Sequence, residues 1–247
     1  MAVKSAKGAA RTVVPVRSCF APRSVLRVVL RRARIIVVLR LGSAVARLGL
    51  LPILCAAALA QNADDVDKLA PGRFLVASRD LGDPNFAQAV ILLVQYGDEH
   101  GAMGLIVNRR TDVPLSRVFK DLKDAKDRTD PIYIGGPVEL NSVMALLKSA
   151  SKVEDAKRVF GDVYVISSKE LLQKTLASPA GPNAFHAYLG YAGWEPGQLE
   201  HEVELGAWHI MPADAGEVFH SDPESVWLRL VRRTETQIAA ARRLAGH

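Results

Sequence analysis

The apolar run AQAVILLVQY, residues 87–96, constrains the fold of this chain more than any other segment. Because successive side chains of a strand point to opposite faces of a sheet, a run with almost no polar alternation predicts a strand buried on both faces. RFLVAS (73–78) precedes this run and AMGLIVNRR (102–110) follows it, and turn sequences connect all three. Three strands with short connections predict an antiparallel meander.

Short predicted strands and helices follow one another in the rest of the chain. The strands are predicted at 131–136, 142–149, 162–168, 185–191 and 207–211. The helices are predicted at 111–122, at 171–178 with a capping box from Ser167 to Glu170, and from Pro223 to the end. On the terminal helix one apolar face is predicted, formed by Trp227, Leu230, Val231, Ile238, Ala241 and Leu244. This order of elements predicts a single α+β domain over residues 72–245.

The charge of this chain is divided unevenly. Residues 1–63 contain eleven Lys or Arg and no Asp or Glu, whereas the remaining 184 residues have a net charge of −5. Sequence-independent binding to nucleic acid depends on clustered Lys and Arg. Because the body of the chain has a net negative charge, it is poorly suited to such binding. Both cysteines, Cys19 and Cys55, precede the body, which can therefore hold neither a disulfide nor a cysteine nucleophile.

The N-terminal region resembles an export signal. Residues 48–60, LGLLPILCAAALA, are apolar, too short to cross a bilayer comfortably, and end in the cleavage pattern Ala58-Leu59-Ala60. This pattern predicts a leader over 1–60, cleavage before Gln61, a linker over 61–71 and an exported body that contacts a membrane only through the leader. An uncleaved anchor, an organelle transit peptide, and a start site placed too far upstream of a cytoplasmic protein remain alternatives. A lipoprotein signal at Cys55 is rejected because Leu54 is too bulky before a lipidated cysteine.

The segment 190–209, GYAGWEPGQLEHEVELGAWH, is the densest set of chemically capable residues. It begins a zinc helix with His201 and Glu202, but Leu205 stands where the second histidine ligand is required, so no metal site is predicted. Glu200 and Glu204 would share one helical face, which is more often a solvated acidic face than a catalytic pair. A nucleophile elbow and a phosphate-binding loop are both missing from the sequence.

A structural interpretation of the same segment explains more of its residues. Gly190, Gly193 and Gly197 would allow positive φ or close backbone approach at a tight strand-to-helix crossing. Tyr191 and Trp194 would fill that crossing from the core side. Tight backbone approaches also line ligand sites, so a binding role for the segment stays open.

Five separated motifs together carry a family resemblance. They are GRFLVASRDLGDPNFAQAVILLVQY, GAMGLIVNRR, YIGGPV, GPNAFHAYLGYAGWEPGQLE and AWHIMPAD, spread over residues 72–214. This combination resembles the AlgH/YqgE family. The resemblance implies a compact α+β domain with a curved, largely antiparallel sheet flanked by helices, and it implies no catalytic residue and no cofactor. Departures occur at Gln88-Ala89, at Arg110 and at Gly206, so any polar site using those positions would be altered here.

The sequence favours a non-enzymatic binding or regulatory module with an unknown protein or small-molecule partner. The predicted binding residues are Asn108, Gly135, Gly136, Tyr191, Trp194, Gln198 and Glu200. One alternative is a hydrolase that uses Glu200 or His201 as general base. Another is a transcription-related regulator, as the family label suggests, which the net negative body and the lack of a recognisable helix-turn-helix argue against.

Overall fold

The first three strands form the predicted meander. In the computed structural model, β1 (Arg73–Ala77), β2 (Val90–Gly97) and β3 (Gly101–Ile106) pair antiparallel in chain order. The first five residues of β2 are fully buried, as expected for a strand covered on both faces. The described residues are 65–97, 99–120, 122–178 and 180–245, and the predicted leader lies outside them.

In the part of the chain that the structure describes, seven further strands complete the sheet. They are β4 (Arg110–Pro114), β5 (Pro131–Ile134), β6 (Val138–Lys148), β7 (Lys157–Phe160), β8 (Val163–Ile166), β9 (Phe185–Trp194) and β10 (Trp208–Pro212). The strand order is β10-β1-β2-β3-β9-β6-β8-β7, and β4 joins through β5, which pairs with β9. The β5–β9 pair is parallel and every other pair is antiparallel.

The sheet is strongly curled. Trp194 ends β9 and Trp208 begins β10, and three strands lie between these two in the sheet. Four strand spacings in a flat sheet would separate them by about 19 Å. Their ring centroids are only 6.1 Å apart, so the two indoles meet across the concave side of a half-barrel. This confirms the curved, largely antiparallel sheet of an α+β fold.

Among the described residues, these α-helices flank the sheet: α1 (Leu115–Val118), α2 (Lys169–Leu176), α3 (Gln198–Glu204), α4 (Ala215–Val218) and α5 (Glu224–Ala245). Two apolar clusters fill the space between these layers. The smaller cluster joins α1 and α2 to β5, β6 and β9, and the larger one lies along β1, β2 and β3. None of the helices among the described residues is long and apolar enough to cross a membrane.

Several local predictions were wrong. The predicted helix at 111–122 begins as a strand instead, because Thr111 Oγ1 donates to the carbonyl of Ile132 and ties this segment to β5. Only the four residues of α1 are helical there. The cap of α2 is Ser168 rather than Ser167, since the Ser168 hydroxyl accepts from the Leu171 N–H. Strand β7 and helix α4 had no prediction.

The terminal helix is confirmed, but its apolar face is only partly covered. Trp227, Leu230 and Val231 are buried, and the Trp227 Nε1 donates to the carbonyl of Ala77 at 2.8 Å. Two turns later Ile238 is half-buried, and Ala241 is exposed. The second half of α5 therefore extends past the core that holds the first half.

Candidate functional site

The segment 190–209 folds differently from the predicted crossing. Strand β9 continues to Trp194, so Gly190 and Gly193 lie inside a strand and only Gly197 precedes the helix. Gly190 has φ +67°, and a Cβ there would stand 2.6 Å from the Gly136 carbonyl oxygen and 2.7 Å from that of Val138. The glycine is therefore required by a close approach between β9 and the segment that joins β5 to β6.

Three predicted binding residues belong to this backbone contact. A Cβ on Gly136 would lie 2.1 Å from the carbonyl carbon of Tyr191, and the Gly135 N–H donates to the Leu189 carbonyl at 2.8 Å. Gly135 also accepts from the Ile106 N–H at 2.8 Å. The structure thus places Gly135, Gly136 and Tyr191 where two strands touch, and their geometry fixes strand positions.

Two other predicted residues, Trp194 and Gln198, meet at the carboxylate of Glu202, which the sequence analysis considered only as part of an incomplete zinc motif. Glu202 Oε2 accepts from Trp194 Nε1 and from Trp208 Nε1, both at 2.9 Å, and Glu202 Oε1 accepts from Gln198 Nε2 at 3.0 Å. We call these four residues the Glu202 clasp. Trp194 and Trp208 are 6% and 2% exposed, so the carboxylate supplies the acceptor that two buried indole N–H groups need.

The clasp fastens helix α3 across the concave side of the sheet. Its indoles come from β9 and β10, and its carboxylate and amide come from α3. One signal could have indicated it: Gln198 and Glu202 are four residues apart and so share a helical face. The contribution of Trp208 could not be predicted in this way, because the curl of the sheet brings Trp208 to Glu202.

Asn108 supports the aromatic side of this cluster. Its Oδ1 accepts from the Val90 N–H at 2.8 Å, and its Nδ2 donates to the Gln88 carbonyl at 2.9 Å. These bonds fix the end of the loop that carries Phe86. The Phe86 ring stacks on Trp194 at 6.1 Å between centroids and meets Trp208 edge-on at 5.8 Å.

The two residues predicted for catalysis have separate neighbours. Glu200 Oε1 accepts from the Tyr96 hydroxyl at 2.7 Å. His201 has a side chain that is 69% exposed, with Nδ1 3.7 Å from Glu204 Oε2. In the described portion of the chain, no three His, Cys, Asp or Glu side chains come close enough to hold a metal ion.

A buried polar cluster, missed by the sequence analysis, lies between β5 and β9. His186 Nε2 is 3.4 Å from the Tyr133 hydroxyl, and its Nδ1 is 3.4 Å from the Tyr188 hydroxyl. Burial lowers the pKa of His186 to about 4 and raises the pKa of both tyrosines. A neutral imidazole has one donor and one acceptor nitrogen and can therefore engage both hydroxyls. His186 and Tyr188 are polar residues in the otherwise apolar predicted strand 185–191, and this pattern could have indicated the cluster.

A concave surface lies beside the clasp, between the loop after β1, the turn after α3, and α5. We call it the terminal-helix groove; its volume is about 600 Å³. Its described lining residues are Ser78, Arg79, Asp80, Leu81, Gly82, Leu205, Gly206, Ala207, His209, Glu235, Ile238 and Ala239. Arg79 bridges two of its walls, because its Nε and Nη2 donate to the two carboxylate oxygens of Glu235 at 2.6 and 3.2 Å.

The groove combines an apolar surface with ionisable groups. Leu205 is 71% exposed although it is a large apolar side chain. Burial lowers the pKa of His209, and the nearby carboxylates of Asp65 and Glu235 oppose that shift.

Comparison with known proteins places this fold and sequence in one group. The family model described as AlgH-like matches residues 74–239. A UPF0301 protein of Streptomyces avermitilis is 36% identical over 177 residues, which cover 68% of this chain and 88% of that protein. The UPF0301 protein AlgH of Pseudomonas aeruginosa is 35% identical over 179 residues, which cover 70% and 93%.

Solved structures agree with the sequence matches. The solution structure of AlgH from Pseudomonas aeruginosa superposes with a TM-score of 0.55 at 33% identity, covering 66% of this chain and 87% of that one. A crystal structure of a Corynebacterium diphtheriae protein gives a TM-score of 0.56 at 27% identity, covering 67% and 87%. Since the family model spans most of the described body, this chain belongs to the AlgH-like family.

Proposed function

We propose that this protein is a non-enzymatic binding module, and that the terminal-helix groove holds its partner, a protein segment or a small molecule. One observation carries the proposal: Leu205, which is 71% exposed, lines the same groove as Ile238. Large apolar side chains that stay exposed in a concave surface with a polar rim are typical of binding sites.

The polar rim of the groove could orient a partner. Arg79, Asp80, His209 and Glu235 lie around the apolar residues Leu81, Leu205 and Ile238. A partner that covers the apolar part would gain from its burial, and its polar groups would find both donors and acceptors nearby. This mixture suits a ligand with an apolar body and a few polar groups.

Some of the residues predicted from sequence would support this surface from behind. Trp194 and Gln198 hold Glu202 and so fix α3, and Leu205 follows the last residue of that helix. Glu200 adds a second tie, through its bond with the Tyr96 hydroxyl. In this proposal the clasp positions Leu205 at the groove, and Asn108, Gly135, Gly136 and Tyr191 stabilise the sheet beneath it.

The geometry supports catalysis by Glu200 or His201 less well than it supports binding through the groove. The Glu200 carboxylate accepts from Tyr96, while His201 lies exposed beside Glu204, so the two predicted bases serve different neighbours. General base catalysis needs the base within hydrogen-bond reach of a bound nucleophile. Turnover of any substrate that disappears in a Glu200→Gln variant would overturn the non-enzymatic assignment.

Binding through the groove can be tested with matched variants. The protein and its Leu205→Asp variant would carry the same affinity tag in native cells, and partners would be quantified by mass spectrometry. Leu140→Asp is the control, since Leu140 is 54% exposed but lies outside the groove. We expect a partner that Leu205→Asp loses and Leu140→Asp keeps. A partner kept equally by all three proteins would refute the groove as the binding surface.

We also propose that the protein acts outside the cytoplasm after the leader is removed. The support is the apolar segment 48–60 with its Ala-Leu-Ala ending, which lies outside the described residues. Intact mass of protein from fractionated native cells tests this proposal. A chain that starts near Gln61 in an exported fraction is expected. A chain that keeps residues 1–60 in the cytoplasm would refute export and reopen nucleic-acid binding through its basic leader.

A further inference from the structure

We infer that the partner in the terminal-helix groove is a second copy of this chain, whose helix α5 lies antiparallel along α5 of the first copy. This inference rests on the proposed function, because it names the partner of that binding surface. A twofold axis would relate the two copies, so each copy would cover the groove of the other.

The second half of α5 provides the surface for this contact. From Glu235 to Ala241 every side chain of the helix is exposed except Ile238, which is half-buried. The helix continues to Ala245, so residues 235–245 form about 16 Å of helix. Most of the stability of a protein helix comes from packing of its apolar face, and the described part of the chain offers this segment little packing. A neighbouring helix would supply it.

The groove continues along this half of the helix. Ile238 and Ala239 line the groove, as does Leu205 on its other wall. A second concave surface of about 500 Å³ is lined by Arg232, Glu235, Thr236, Ala239, Ala240 and Arg243. The two concave surfaces share Glu235 and Ala239 and therefore form one continuous surface. Because the Ala239 side chain is a single methyl group, a second helix can approach α5 closely at this residue.

The charges on α5 select the orientation of the second helix. Glu235 is four residues before Ala239 and Arg243 is four residues after it, so all three lie on one face of the helix. In an antiparallel pair that crosses at Ala239, Glu235 of each copy faces Arg243 of the other. In a parallel pair Arg243 would face Arg243, and like charges repel each other. Charge complementarity therefore favours the antiparallel, twofold arrangement.

The ion pairs within one copy leave both charges able to make this contact. Arg79 donates two hydrogen bonds to the Glu235 carboxylate, which has about four lone-pair sites and can accept further bonds. Arg243 is exposed and forms no ion pair with another described residue. In the inferred pair, Glu235 would lie between Arg79 of its own copy and Arg243 of the second copy.

The apolar residues of the groove would be covered by the same contact. Leu205 is 71% exposed, and it lies on the groove wall that faces α5. A second helix in the groove would withdraw Leu205 and Ile238 from water together, which is favourable for apolar side chains. The inferred pair thus gives the exposed leucine a partner.

Reversal of the two charges tests the pairing. The protein is purified from native cells, in the form that those cells contain, and its dissociation constant is measured by sedimentation equilibrium. Glu235→Arg and Arg243→Glu each place like charges opposite one another, and the double variant restores opposite charges with their positions exchanged. The control is Arg233→Glu, which makes the same change of charge at an exposed position of α5 outside both concave surfaces.

The native protein and the Arg233→Glu control are expected to form dimers with the same dissociation constant. Each single variant should raise this constant by about tenfold or more, and the double variant should return it to within about threefold of the native value. A protein that is monomeric at every soluble concentration would overturn the inference. So would a dimer that the single variants and the control weaken equally.

A disulfide across the twofold axis tests the crossing point separately. In a chain that carries Cys19→Ser and Cys55→Ser, Ala239→Cys would place one thiol from each copy beside the axis. The control is Gln237→Cys, which is exposed on the opposite face of α5. We expect the Ala239→Cys chain to form a disulfide between copies about tenfold faster than the control. Equal rates would refute the crossing at Ala239.

Failure of the inference and failure of the proposed function give different results. A monomeric protein that binds another partner, which Leu205→Asp loses, would refute the second copy and keep the groove as the binding surface. A dimer that depends on the charge pair but is unchanged by Leu205→Asp, with no other partner lost, would keep the pairing of the helices. That result would refute the groove as the binding surface and with it the proposed function.

Discussion

Replacing Glu202 tests whether the clasp holds α3 on the sheet. Glu202→Ala removes three hydrogen bonds and leaves the N–H groups of Trp194 and Trp208 buried without their acceptor. Each buried unsatisfied donor costs about 1–3 kcal/mol, so for two such donors we expect the free energy of unfolding to fall by about 2–6 kcal/mol. Glu202→Gln keeps one acceptor oxygen but loses the charge, and should cost about 1 kcal/mol.

Urea unfolding followed by tryptophan fluorescence measures this effect, because the two clasp indoles report on their own surroundings. The control is Glu204→Ala, two residues further along the same helix, whose exposed carboxylate lies 3.7 Å from His201. A surface change of this kind is expected to alter stability by no more than about 0.5 kcal/mol. If Glu202→Ala and Glu204→Ala unfold at the same urea concentration with equal slopes, the clasp contributes nothing and the reasoning fails.

Three further predictions concern burial and backbone packing. The folded pKa of His186, about 4, lies below its unfolded value of 6.5, so stability should be constant above pH 6.5 and fall by about 3 kcal/mol between pH 6.5 and 4. Urea midpoints at pH 7.5 and 4.5 check this, and a His186→Gln variant with an unchanged pH dependence would contradict it. Gly136→Ala should lower stability by about 3 kcal/mol because its Cβ meets backbone at 2.1 Å, whereas Gly181→Ala, with nothing within 4 Å, should be near neutral by thermal unfolding. Asn108→Ala should cost about 2 kcal/mol through two lost backbone hydrogen bonds, and an unchanged melting temperature would argue against that role.

Segments whose residues determine their own local geometry were predicted well. The run ending in β2 is apolar enough to require burial on both faces, and the structure gives it that environment. The start of α5 follows from Pro223, and its first apolar residues are buried. The helix predicted over 111–122 was wrong because its helical spacing competed with pairing to β5, where Thr111 bonds to Ile132, 21 residues further along the chain.

The candidate site was predicted only in part, for a similar reason. The sequence analysis named Trp194 and Gln198. It considered Glu202, whose carboxylate joins them, only as part of an incomplete zinc motif. Asn108 was predicted as a binding residue, and in the structure its side chain bonds to the Val90 N–H and the Gln88 carbonyl. Burial of a polar group cannot be derived from its neighbours in sequence when its hydrogen-bond partners come from other strands.

The sequence alone determined the family, the meander of the first strands, the acidic body and the positions where backbone can approach backbone. These features depend on residue type and short spacing, which a linear pattern carries completely. The tertiary structure decided that Trp194 and Trp208 share one carboxylate, that His186 is buried between two tyrosines, and that Leu205 stays exposed in a groove beside α5. Each of these depends on how far the sheet curls. Curl is the accumulated twist of many strand pairs, so no single segment of the sequence specifies it.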